Sequence, residues 1–177
     1  MALKKVIGID LAGNEENRSG FCIIKEEFGQ KDTKTRSIFT DCEILQEVDR
    51  QKPDLVAIDA PLTNKKSERP ADKEMKKYGA LSLSMPGMQI LAKRGYKLAK
   101  AIKDKDVSVI EIFPRATEKI MGIEKTSLSK SSHQADAALA AITGFLYLEN
   151  KTKEVGDKEG KIIIPKPSRK QPLKKEE

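Results

Sequence analysis

Asp10 and Asp59 each close an otherwise apolar run, VIGID at 6–10 and LVAID at 55–59. An ionised carboxylate among buried aliphatic side chains is costly without a compensating cation, and two of them at neighbouring strand ends also repel each other. The simplest compensation is Mg2+ or Mn2+, hard cations that take carboxylate oxygen and keep waters for phosphate-directed chemistry. A third acid, Asp136, falls in the first turn of a long apolar stretch. It follows His133 by three residues, so the two share one helix face at an end that favours anions. Asp10, Asp59 and Asp136 are therefore the expected metal ligands, with His133 beside them. With two ions about 4 Å apart, one activates water while the other stabilises the leaving oxygen of a phosphodiester.

Two further residues carry open alternatives. Glu111, inside another strand-like run, is either an additional ligand or the partner of a nearby lysine or arginine. Arg69, with Asp72 and Glu74, either reaches over the site to hold a phosphate or belongs to a solvated helix with i, i+3 and i, i+4 ion pairs. Met85, Met88 and Leu91 read as core packing.

The elements that position these residues follow from periodicity and turn chemistry. Lys5 to Leu11 predicts a buried strand, with turn residues at Ala12 to Asn14. Phe21 to Lys25 and Arg36 to Thr40 predict two more, separated by polar turn material from Gly29 to Lys34, so the first three strands form an antiparallel meander. Asp41 is placed to cap a helix carrying Ile44, Leu45 and Val48, and Asp54 to Pro61 is the next apolar strand. A helical crossover implies parallel pairing, which sets the ends of the first and fourth strands together, where open α/β sheets bind ligands. A helical insertion spans about 63–105, with helices near Ala71 to Tyr78 and Met88 to Ile102. Ser108 to Phe113 is a strand closed by Pro114. Ser131 or Ser132 caps the apolar helix from His133 to about Glu149, and Lys161 to Ile164 is a last short strand.

Five segments together carry a family resemblance: VIGIDLA at 6–12, VAIDAPL at 56–62, RPAD at 69–72, VIEIFP at 109–114 and HQADAAL at 133–139, closed by GKIIIP at 160–165. In this order they resemble an uncharacterised family of predicted nucleases with the ribonuclease H fold, over about Lys4 to Pro165. The resemblance implies an α/β domain with a mixed sheet of five main strands, the first three antiparallel. It also implies a metal site at Asp10, Asp59 and Asp136. More distantly the arrangement is similar to Holliday-junction resolvases, although Asp59 stands where those have glutamate and His133 takes the first position of their helix pair.

Composition bounds the rest. The 177 residues fit one domain at 1–165 with a basic, Pro- and Lys-rich tail at 166–177 that is expected to be disordered. The net charge of +7 suits a polyanionic partner, DNA or RNA. Aromatics are only 5% and basic residues are scattered, so substrate binding is expected to rely on backbone contacts and shape rather than base stacking. Cys22 and Cys42 have no zinc-like spacing and read as free thiols. The N-terminal segment has no apolar stretch of signal-peptide length and no window approaches a membrane span, so a cytoplasmic protein, compatible with a homodimer, is expected. Two other functions fit the same residues. Gly8 to Gly13 also resembles the first phosphate loop of sugar kinases and actin-like ATPases, which close two such domains on ATP. Alternatively, a non-catalytic binding module retains the acidic cluster.

Overall fold

The structure is a computed structural model that describes residues 3–167. Strands β1 (Lys4–Asp10), β2 (Ser19–Glu27) and β3 (Gln30–Ile38) form an antiparallel meander. Helix α1 (Asp41–Gln51) crosses to β4 (Leu55–Asp59), which lies parallel to β1. The insertion supplies α2 (Pro70–Met75), a 3-10 turn at Lys76–Tyr78 and α3 (Pro86–Lys103) before β5 (Ser108–Ile112). Helices α4 (Pro114–Met121), α5 (Lys125–Leu128) and α6 (Ser132–Leu148) follow, then the hairpin of β6 (Thr152–Asp157) and β7 (Gly160–Pro165). The sheet order is β3-β2-β1-β4-β5-β7-β6, mixed in direction, with β1, β4, β5 and β7 parallel.

The five expected main strands and the expected last short strand are present, and the described sheet has seven. The closing GKIIIP run joins it as β7 beside β5, and the polar β6 adds an edge strand with no apolar alternation to announce it. The third strand is longer than expected. Gln30 to Lys34 is strand rather than turn, and the hairpin turns within Phe28 and Gly29, both at positive φ. The cap of α1 is Thr40, not Asp41: the Thr40 hydroxyl accepts from the Glu43 N–H while the Glu43 carboxylate accepts from the Thr40 N–H. Ser131 caps α6 as anticipated. Of the expected disordered tail, residues from 168 onward lie outside the described residues. No described helix is long and apolar enough to cross a membrane.

Strand alternation sorts the core into two layers. Val6, Leu55, Ala57 and Ile112 face α6, where Ala137, Ala141 and Phe145 cover them. Ile7, Ile9, Val56 and Ile58 face the opposite side, covered by Ile44 and Val48 of α1 and Leu98 and Ile102 of α3. Two glycines let α6 lie directly on the sheet. A Cβ on Gly8 would stand 2.1 Å from the Ala137 carbonyl oxygen, and one on Gly20 would stand 1.9 Å from that of His133. The Gly20 approach fixes the start of α6 over the ends of β1 and β4, which is where the acidic residues lie.

Candidate functional site

Asp10 and Asp59 are register partners in the parallel β1–β4 ladder. They continue the Val6/Gly8 and Leu55/Ala57 series, so both carboxylates point to the α6 side. His133, in the first turn of that helix, and Asp136, at the start of the second, descend from above. His133 Nδ1 shares a 2.8 Å hydrogen bond with Asp10 Oδ2. Asp10, Asp59 and Asp136 then line one cleft of about 290 Å3, open between β4, β5 and α3. The three expected ligands and His133 are thus brought together from positions 10, 59, 133 and 136.

Electrostatics report how closely they crowd. Burial raises the pKa of Asp59 well above its ordinary value, and the charges of Asp10, Asp136 and Glu111 push it further. The pKa of Asp10 is also raised, mainly by burial, against the opposing His133 hydrogen bond. No side-chain or backbone donor among the described residues hydrogen-bonds to the Asp59 carboxylate, so its acceptor capacity is unmet by protein.

One cation is already present. Lys125, from α5, places its ammonium 2.6 Å from Asp136 Oδ1 and 2.8 Å from Oδ2. Only the Oδ2 contact has hydrogen-bond geometry, which leaves the buried Oδ1 without a hydrogen-bond partner. Among the described residues, no three His, Cys, Asp or Glu side chains are spaced as a ready-made metal site. The donor set is nevertheless all hard oxygen, the type Mg2+ and Mn2+ take. Lys125 carries no sequence signal, because nothing in the polar KTSLSKSS run at 125–132 distinguishes it from the other lysines.

Glu111 also lines this cleft, but its carboxylate is engaged by Arg69 rather than turned to the aspartates. Glu111 pairs across the ladder with Ile58, one step before Asp59, so alternation turns it to the face opposite the three aspartates. There Arg69, only 1% exposed, forks between two carboxylates. Its Nη1 and Nη2 donate to Glu111 Oε2 and Oε1 at 2.9 and 2.7 Å. Its Nε and Nη2 donate to Asp72 Oδ2 and Oδ1 at 2.9 and 2.7 Å. Of the alternatives for Glu111, the structure shows the arginine partner. The phosphate-holding role expected for Arg69 is corrected, since its donors are spent on buried carboxylates; of the expected helix pairs, the Arg69–Asp72 i, i+3 pair is present but buried, and Glu74 makes a solvated i, i+3 pair with Lys77. Glu111 Oε2 also accepts from the Leu62 N–H at 2.9 Å, so this network ties down the loop leaving Asp59.

The loop leaving Asp10 has a matching anchor that sequence reading missed. Arg94 of α3, 8% exposed, donates to the carbonyls of Ala12, Asn14 and Phe39 and pairs with Asp41. Ser19, fully buried, accepts from the Ala12 N–H at 2.9 Å. Each buried arginine therefore holds one of the two loops that follow the paired aspartates. Cys22 is buried in β2 and Cys42 exposed on α1, both free thiols. Neither lines the cleft.

Compared with protein-family models, curated proteins and solved structures, the chain matches none.

Proposed function

We propose that the chain is a metal-dependent phosphodiesterase of the ribonuclease H type that hydrolyses nucleic acid. The observation that carries this reading is the register pairing of Asp10 with Asp59 beneath Asp136, with no hydrogen-bond donor to the Asp59 carboxylate among the described residues. The antiparallel first triplet of the sheet supports it, being what the family resemblance implies.

Asp10, Asp59 and Asp136 would hold Mg2+ or Mn2+, which supplies an activated water and a counter-charge for phosphodiester oxygens. His133 orients the Asp10 carboxylate. Lys125 balances Asp136 while no divalent ion is bound and must withdraw when one is. The open cleft beyond the β-strand ends admits the phosphodiester, and the two arginine-held loops keep the aspartates in place.

The Lys125–Asp136 pair favours a second reading, a binding module whose acids are neutralised internally and catalyse nothing. The two separate on a panel of single-stranded, duplex, hybrid and branched nucleic acids with Mg2+ or Mn2+. The enzyme reading expects cleavage of at least one substrate by wild type and its loss in Asp10→Ala. Equal turnover by both proteins, or none by either with metal bound, overturns it.

A further inference from the structure

On the outer side of α3, away from the acidic cleft, the loop Thr63–Lys66 leaving β4 encloses a groove of about 660 Å3. Its floor is apolar, with Ile90 56% and Tyr96 40% exposed. Lys65, Lys66, Lys93 and Lys97 line it, and no acid does. Lys65 pairs with Glu159, but Lys66, Lys93 and Lys97 form no ion pair among the described residues. Lys93 and Lys97 stand four apart on α3, a like-charge spacing that weakens a helix unless an anion answers it. Neighbouring positions on the same helix, Met88 and Leu91, line the acidic cleft, so cleft and groove lie on two sides of one helix. These lysines are dispersed in the sequence and only the fold gathers them.

We infer that this groove binds a single-stranded nucleic acid segment, with phosphates on Lys66, Lys93 and Lys97 and a base against Tyr96. Apolar floor and cationic rim match the two faces of an unpaired nucleotide, a stackable base and a charged phosphate. A duplex buries its bases and would leave the floor unused. The inference rests on the phosphodiesterase reading for its substrate class, and it places the strand beside the carboxylates rather than on them.

The test is fluorescence anisotropy of a labelled oligothymidylate in EDTA, so that binding is read without metal or turnover. Wild type should bind, and Lys66→Glu/Lys93→Glu/Lys97→Glu should weaken binding on the order of tenfold or more. The salt slope should fall by about 0.7 for each phosphate that no longer meets a lysine. Tyr96→Leu should weaken binding with the slope unchanged. The milder Lys93→Gln/Lys97→Gln pair, with circular dichroism of every variant, separates impaired phosphate binding from impaired folding. No binding by wild type, wild-type binding by the folded lysine variants, or preference for polyglutamate over the oligonucleotide overturns the groove. Binding without cleavage leaves the groove standing and removes the enzyme; cleavage with unaffected binding in the lysine variants does the reverse.

Discussion

Asp10 and Asp59 sit side by side, residue for residue, at the ends of two parallel strands. Adjacent strands are about 4.8 Å apart, a separation at which two ionised carboxylates repel strongly unless a cation lies between them. That repulsion couples the stability of the chain to pH and to divalent ions.

The apo protein should be less stable when Asp59 is ionised. Its pKa is raised in the folded state from an ordinary 3.8, so the folded chain holds this proton more tightly than the unfolded chain. Stability from this group is greatest below the ordinary value and falls as pH rises through the raised one. Asp59→Asn removes the charge and should raise Tm at neutral pH, with the advantage shrinking towards pH about 4, the ordinary carboxyl range. At this chain length each kcal/mol regained appears as about 2–4 °C. Thermal melts in EDTA across that range check it; a variant destabilised more at neutral pH than in acid contradicts it.

The Arg69 network should behave as a unit. Arg69→Met leaves Glu111 and Asp72 buried without their cation, a loss of about 3–5 kcal/mol. Removing the Glu111 charge as well, in Arg69→Met/Glu111→Gln, should recover part of it, so the double variant is more stable than the sum of the singles. Urea titrations of the four proteins measure the coupling. Additive losses would show that the two side chains do not stabilise each other.

Gly20→Ala should disturb the site without touching a carboxylate. The new Cβ meets the His133 carbonyl and has to displace the start of α6. A loss of about 1–3 kcal/mol is expected from the overpacking, together with weaker divalent-ion binding, because His133 and Asp136 move with the helix. A destabilised variant with unchanged Mn2+ affinity would separate α6 from the ion site.

Much of this arrangement is legible in the sequence, for identifiable reasons. Asp10 and Asp59 end fully apolar runs, and parallel pairing through a crossover brings such ends together. Asp136 is legible as an acid near the start of the apolar helix, although the helix begins at Ser132 and so places it one turn in rather than in the first turn. Glu111 is ambiguous because its face depends on register, and its pairing with Ile58 is a tertiary fact. β6 and the first half of β3 are exposed and polar, so they lack the alternation that betrays a half-buried strand. Lys125 reaches the cluster from a four-residue helix with no periodicity of its own. Arg69 misleads because an arginine followed by Pro-Ala-Asp suggests an exposed helix start, whereas its fork is closed on both sides by buried acids.

Lys125 should compete with a divalent ion for Asp136. Lys125→Met removes one positive charge from among three carboxylates and is expected to tighten Mn2+ binding on the order of tenfold, a change of a few kcal/mol or less at the effective dielectric of such sites. Calorimetric titration reads this directly, and weaker binding in the variant would make Lys125 a supporting residue instead of a competitor.

If the paired aspartates exist to hold a divalent cation, Mn2+ binding followed by electron paramagnetic resonance shows it most directly. Wild type should remove free Mn2+ from solution with saturable stoichiometry, and Asp59→Asn, its folding checked by circular dichroism, should lose that binding. Absence of saturable binding in wild type, or undiminished binding in Asp59→Asn, would contradict the account.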